Sequence, residues 1–329
     1  MKVLILGGTG FIGRHLTASL LEAGHEVAVF HRKKRRVRFS RSVLHIHGNR
    51  SRLDQSLRSF ASFSADVVVD LIAFTEDDAR SAIKVFGGRT ERLVCASSMD
   101  VYQAYGSFRR LESSKPRLRP LTEDSPLRTK LFPYRRLAKS EADVLYGYEK
   151  ILVEQTIMNR TELAATVLRL PQVFGPHDGQ HRLRTYLQRM NSREDIVISD
   201  AKARWRGTRG YVEDIAAGIA LAVINRRASG RTYNIGEKEA EAEMDWIQRI
   251  GTAAGWTGRL RVVPKNALPA ELEEPYDWNH HLAGDTSRIR DELGYHEKVS
   301  SAEAMRRTVG WERSQLRAAK RSQTSGSKS

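Results

Sequence analysis

The first 22 residues constrain the fold more tightly than any other stretch. Val3, Leu4, Ile5 and Leu6 form a short apolar run suited to a parallel strand buried on both faces. Gly7, Gly8, Thr9, Gly10, Phe11, Ile12 and Gly13 follow at once, and Leu16, Leu20 and Leu21 then recur along one side of a helix. In such a turn one glycine permits the bend, one lets the backbone approach a pyrophosphate, and one lets the helix pack close to the strand. The helix N-terminus offers unpaired N–H groups and the positive end of its dipole. Strand, glycine turn and helix in this order predict a dinucleotide site contacted by Gly7, Thr9, Gly10, Phe11, Ile12 and Gly13.

The pattern repeats along the chain. Strands are expected at Val27–Phe30, Val43–His47, Asp66–Ile72, Arg92–Ala96, Thr166–Leu170 and Thr232–Ile235. Helices are expected at Glu76–Phe86, Ser140–Arg160, Leu183–Met190, Ile215–Ile224, Thr286–Leu293 and Ala302–Trp311. Alternating strands and helices predict an α/β, Rossmann-type, doubly wound parallel sheet. Residues 1–170 would form the dinucleotide-binding domain, returning at about 208–236. Residues 171–207 and 237–313 would form a smaller C-terminal substrate-binding subdomain. Between Tyr102 and Ala138, four prolines among many cations suggest a long surface excursion that could serve as a lid over the active site. Ser314–Ser329, rich in Ser, Lys and Arg, reads as a disordered tail.

Where the second strand ends, a carboxylate would take the adenosine ribose hydroxyls and select NAD. The chain has His31 and Arg32 there, then Lys33–Arg36. Arg32 is placed to pair with a 2′-phosphate, so NADP is the preferred cofactor and NAD the alternative. Lys33–Arg36 reads chiefly as a solvated basic loop. His45 and His47 share a strand face but lack a third ligand, so no metal site is expected. Asn49 follows the third strand, within reach of an adenine. Leu71, Ile72 and Ala73 leave the fourth strand beside the expected nicotinamide path. Pro171 and Val173 leave the sixth.

Net charge is +16, from 55 Lys and Arg against 39 Asp and Glu. That balance favours anionic partners without choosing among nucleotides, nucleic acid and acidic surfaces. The one cysteine, Cys95, excludes an intrachain disulfide and suits a reducing, cytoplasmic setting. No stretch has the length of a membrane span, and no signal peptide is evident.

Two features point to a reaction. On a regular helix Tyr146 and Lys150 are four apart and face one side. The ammonium would favour phenolate and lower the tyrosine pKa, giving an acid or base usable near neutral pH. Tyr148 competes for this role but lies on a different helical face from Lys150. Ser98, at the carboxyl end of a central strand, is placed to steady a substrate oxygen. Weaker candidates are His177, Asp178 and His181, and a possible phosphate grip by Arg204, Arg206 and Arg209.

Together these residues resemble an extended short-chain dehydrogenase/reductase of the NAD(P)-dependent epimerase/dehydratase family, from Met1 to about Arg313. Gly7–Gly13 is similar to that family's cofactor turn, and Ser97-Ser98-Met99-Asp100-Val101-Tyr102 to its serine segment. Tyr146 and Lys150 fit its Tyr-x-x-x-Lys pair. Leu168–Pro176, Tyr211–Ala216, Tyr233–Gly236 and Arg290–Tyr295 resemble its later signatures. The resemblance implies Ser98, Tyr146 and Lys150 as catalytic residues. It also implies hydride transfer on a nucleotide-sugar-like or related hydroxyl or carbonyl substrate, and a homodimer formed through the tyrosine-bearing helix and its neighbour. The stretch from Ser98 to Tyr146 is longer than the family's usual spacing. Asp70 stands where several sugar epimerases carry histidine. The alternative is a non-catalytic dinucleotide-sensing or RNA-binding relative of the same fold.

Overall fold

The computed structural model describes residues 1–32, 37–117, 119–159 and 163–326, with residues 320–326 described by backbone alone. The basic run Lys33–Arg36, Arg160 at the end of an expected helix, and the last three residues of the tail lie outside the described residues.

The chain opens with β1 (Lys2–Leu6), α1 (Phe11–Glu22), β2 (Glu26–His31), β3 (Leu44–His47) and α2 (Leu57–Phe63). β4 (Val67–Asp70), α3 (Glu76–Phe86), β5 (Arg92–Ser98) and α4 (Gln103–Phe108) follow. Next come α5 (Val144–Gly147), α6 (Lys150–Met158), β6 (Ala164–Leu170) and β7 (Gln172–Phe174). The remainder holds α7 (Arg184–Asn191), β8 (Ile196–Ser199), α8 (Asp200–Arg204), β9 (Arg209–Tyr211) and α9 (Val212–Ile224). It ends with β10 (Arg231–Asn234), α10 (Glu243–Ala254), β11 (Leu260–Val263), α11 (Ser287–Leu293) and α12 (Ser301–Gly326).

Seven strands form one parallel sheet in the order β10-β6-β5-β4-β1-β2-β3. The order reverses between β1 and β4, so the loops leaving these two strands part and open a crevice at their carboxyl ends. Alternation divides the core. Val3, Ile5, Val27, Val29, Val67 and Val69 face the helices α1 and α9 and the C-terminal elements. Leu4, Leu6, Ala28, Phe30 and Val68 face α2, α3 and α6. Burying both faces requires continuous apolar strands, which is how the sequence reads.

The later signatures act as structural ties. Asn234 donates to the carbonyls of Leu121 and Asp285 and accepts from Tyr102 at 2.6 Å. Asp214 accepts the N–H groups of Lys298 and Val299, and Arg290 donates to the Gly236 carbonyl.

Three expectations are corrected. The helix expected over Ser140–Arg160 is two helices, α5 and α6. Tyr148 (ψ 117°) and Glu149 (φ −157°, ψ 99°) between them are extended. The cause is Glu149, whose fully buried carboxylate takes the Arg128 guanidinium at 3.0 and 3.3 Å, the Phe132 N–H and the Ile151 N–H. It caps a new helix instead of continuing the old one. The Tyr102–Ala138 excursion is no surface lid: it contains α4 and buries Tyr102, Phe108, Leu121 and Arg128. The expected tail continues α12 as helix to Gly326.

Candidate active site

The crevice is built from the glycine turn outward. Gly7 has φ +90°, and a Cβ there would lie 2.9 Å from Ile72 Cγ2. A Cβ on Gly13 would collide with the Gly7 carbonyl, so α1 approaches the turn as closely as backbone allows. No side chain caps α1, which starts from Gly10 in an extended conformation. Its first N–H groups therefore point toward the turn without a side-chain acceptor, as an anion site requires. Leu71, Ile72 and Ala73 run alongside, Leu71 bonded to the Leu6 carbonyl and Ile72 to Asp70 Oδ1. These residues fit a dinucleotide.

The ends of the strands supply the remaining groups. Asp70, fully buried at the end of β4, pairs with Arg50 at 2.6 Å. Arg50 follows Asn49, which is exposed and spends its side-chain oxygen on the Ser51 N–H. Arg32 is exposed beyond β2. Pro171 lines the cleft, whereas Val173, expected beside it, does not: its side chain lies in the core and its carbonyl takes Arg182.

Lys150 is buried at the start of α6 and donates to the carbonyls of Ala73 (2.6 Å), in the loop after β4, and Ala96 (2.8 Å), within β5. Its ammonium lies 5.0 Å from the Phe74 ring and 5.9 Å from the Tyr148 ring. Ser98 ends β5, caps the next turn by accepting from the Asp100 N–H, and lines the same cleft as Tyr148. Tyr148 donates to Asp100 Oδ2 at 2.8 Å.

Tyr146 is elsewhere. Its hydroxyl donates to Glu141 on the exposed side of α5, its ring packs under Arg135, and it lines a separate surface pocket. The expectation that Tyr146 and Lys150 share a face fails because the two-residue break shifts the register. It is Tyr148 that stands with Ser98 and Lys150. Burial, followed by the neighbouring Asp100 carboxylate, pushes Tyr148 well above the usual phenol range.

Sequence reasoning missed Asp100 and the second phenol. Tyr134 donates to the same Asp100 oxygen at 3.1 Å and meets the Tyr105 hydroxyl at 2.6 Å. Asp100 Oδ1 is buried with no hydrogen-bond partner among the described residues, and burial raises this carboxyl above its ordinary range. The available signal was the position of Asp100, two residues beyond Ser98. Cys95, central in β5, is pushed up to about 12 by burial and remains a thiol.

Ser98, Asp100, Tyr134 and Tyr148 line a cavity of about 420 Å³. Tyr105, Arg109, Arg182 and Trp205 are shared with an adjoining cavity of about 360 Å³. There Phe108 stacks on Tyr276 at 4.7 Å, and Lys202 lies 5.0 Å from the Trp278 ring. Arg209 lines this second cavity, paired with Glu243, but Arg204 is exposed and pairs with Asp200, while Arg206 bonds the Ala240 carbonyl. Asp178 is spent on Arg182, and His181 on Glu312. A cavity of about 540 Å³, under α2 and α3 at the amino ends of the strands, holds none of the groups just described.

A glycine turn at the switch point of a parallel sheet, with a serine, a tyrosine and a lysine at the neighbouring strand ends, defines a dinucleotide-binding protein of the short-chain dehydrogenase/reductase type. The chain belongs to the NAD dependent epimerase/dehydratase family, whose description matches residues 3–236.

Among curated relatives, it is 22% identical over 251 residues to the chloroplast stem-loop binding protein of 41 kDa b of Arabidopsis thaliana, covering 72% of this chain and 59% of the relative. It is 24% identical over 194 residues to the uncharacterized protein y4nL of Sinorhizobium fredii, covering 50% of this chain and 53% of the relative. The chain thus spans little more than half the length of these two. It is 22% identical over 344 residues to the UDP-N-acetyl-alpha-D-glucosaminuronate decarboxylase of Bacillus cytotoxicus, covering 94% and 97%. Among solved structures, the UDP-glucose 4-epimerase of Thermus thermophilus in complex with NAD superposes with a TM-score of 0.66. It is 20% identical, with 95% of this chain and 99% of that one covered. At that identity the likeness speaks for the fold.

Proposed function

We propose that this protein is an NAD(P)-dependent enzyme of epimerase, dehydratase or related oxidoreductase type acting on a nucleotide-linked sugar. The observation that carries the reading is the meeting of Ser98 and Tyr148 in one cleft over Lys150, continuous with an aromatic, cationic pocket. The relatives named for UDP-sugar chemistry support the substrate class. Residues 171–207 and 237–313 form the substrate side.

The glycine turn and the α1 N-terminus would hold the pyrophosphate, and Lys150 would anchor the nicotinamide ribose. When bound, the cofactor supplies a site that accepts or returns hydride. Ser98 fixes the substrate oxygen. Tyr148 exchanges a proton with that oxygen, and its own proton passes along the existing hydrogen bond to Asp100. Aromatic walls exclude water, and Arg109 and Arg182 offer charge to a diphosphate. The missing carboxylate at His31 and the exposed Arg32 favour NADP within this NAD(P)-binding frame. A homodimer through α3 and α6, and a cytoplasmic, reducing setting for the buried Cys95, belong to the same reading.

The test compares two substitutions. Tyr148→Phe is expected to lower kcat by roughly 10²–10⁴-fold with dinucleotide affinity unchanged. Tyr146→Phe is expected to stay within about twofold of wild type, as a surface change should. Normal turnover in Tyr148→Phe excludes the assignment.

A second reading, nucleic-acid binding without turnover, is favoured by the +16 charge and by the stem-loop-binding relative. It predicts stem-loop affinity that exceeds that for unrelated RNA at equal salt. Charge attraction alone falls steeply with salt and ignores sequence.

A further inference from the structure

Three imidazoles meet at the edge of the sheet. β2 and β3 pair in parallel register with His31 opposite His47. The His31 ring is 4.7 Å from His47 and 5.1 Å from His45, and the rings of His45 and His47 stack at 6.4 Å. By strand alternation His31 shares its face with Val29, the residue against which Gly8 of the cofactor turn is packed. The cluster therefore opens on the side of the glycine turn, at the strand end where the ribose hydroxyls of a bound dinucleotide are read.

Hydrogen bonds define the protons. His31 Nδ1 lies 3.0 Å from the Arg32 carbonyl, which can only accept, so Nδ1 carries hydrogen. In neutral His31, Nε2 is then an acceptor, and the partner 2.9 Å away, His45 Nδ1, is its donor. That leaves His45 Nε2 free to take a proton. His45 and His47 are exposed, and so is Arg32 beside them. The connection from β2 to β3 adds the exposed Arg38 and Arg41, and Phe39 packs on the His45 ring at 6.3 Å. From the turn and α1, Gly8 packs against Val29 and Thr17. Among the described residues, His31 and His47 are the groups whose charge opposes protonation of His45.

We propose that His45 and His47, steadied by His31 and set beside Arg32, form a subsite for the adenosine 2′-phosphate of NADP(H), with His45 Nε2 as its proton acceptor. The proposal rests on the NADP preference given above and adds how the phosphate is recognised. Without ligand, desolvation and mutual repulsion hold His45 below its ordinary range. A dianionic phosphate reverses the balance: the ring gains a proton, and the phosphate gains a charged N–H donor. NAD, lacking that phosphate, brings no such charge.

Titration calorimetry on the full chain, with NADP+ and NAD+ in buffers of different ionisation enthalpy, tests this at pH 7.5. There the phosphate, with a second ionisation near about 6, contributes few protons of its own. NADP+ binding is expected to take up roughly half a proton or more, and its affinity to fall about three- to tenfold between pH 7 and 8. NAD+ binding is expected to take up none. The His45→Gln/His47→Gln double variant alters exposed positions on an edge strand. It should lose the proton uptake and the pH dependence while keeping wild-type NAD+ affinity. NADP+ preferred with no proton uptake, or with uptake unchanged in the double variant, overturns the histidine subsite alone. NAD+ bound more tightly than NADP+ at every pH overturns the cofactor preference, and the subsite with it.

Discussion

Asp100 sets the pH behaviour expected of the site. Burial raises its carboxyl, so ionisation, which Asp100 needs in order to accept the Tyr148 proton, is complete only above the usual carboxylate range. Because the folded pKa is raised above the unfolded one, the associated stability is fully present below the unfolded pKa. It is lost as pH rises through the folded value. Asp100→Asn should therefore remove an acid limb from the pH profile of kcat/KM and flatten the fall in thermal stability above about pH 4. An unchanged acid limb in the variant would assign that limb to another group. Ser98 and Lys150 were legible as residues because strand ends and hydrophilic positions in apolar segments are local features. The choice between Tyr146 and Tyr148 was not, since it depends on backbone angles at two residues that no periodicity encodes.

Elements show the same division. α3 spans Glu76–Phe86 as its pattern predicts, since its capping box, Thr75 with Asp78, is contained within four residues. The break between α5 and α6 is set by Arg128, 21 residues before Glu149. Both side chains of that ion pair are fully buried, so removing one leaves the other charged and unpaired. Arg128→Ala is expected to cost about 3–5 kcal/mol of unfolding free energy in urea titrations. Near-wild-type stability would mean that the pair is not what interrupts the helix. The segment that carries Arg128 was misread as a surface lid because its prolines and cations are surface signals. Its buried anchors, Tyr102 and Leu121, are few and widely spaced.

At the scale of the molecule, α12 packs across α7 and α10. Ala304, Met305 and Val309 enter the main core. Trp311 stacks on His181 at 5.4 Å, and the buried Glu312 takes His181 at 3.0 Å with Arg184 nearby. His181 belongs to the loop whose Gln180 and Arg182 line the cleft. Glu312→Ala should destabilise the protein by roughly 0.5–1.5 kcal/mol, because the half-buried His181 and Arg184 lose their acceptor. It should also raise KM more than it lowers kcat. A fall in kcat at constant KM would place Glu312 in the chemistry instead of in loop placement. No helix among the described residues is long and apolar enough to cross a membrane.

What the sequence determined by itself is the sheet with its glycine turn. Apolar runs of strand length and a closely spaced set of glycines are contiguous along the chain, and their physics acts over a few residues. What only the tertiary structure decided is which side chains meet above that sheet. Tyr148 reaches the cleft through an ion pair to a distant segment, and Asp100 and Tyr134 come together from positions 34 residues apart. Such meetings depend on burying charge and satisfying every donor at once, a condition that exists only in the folded chain.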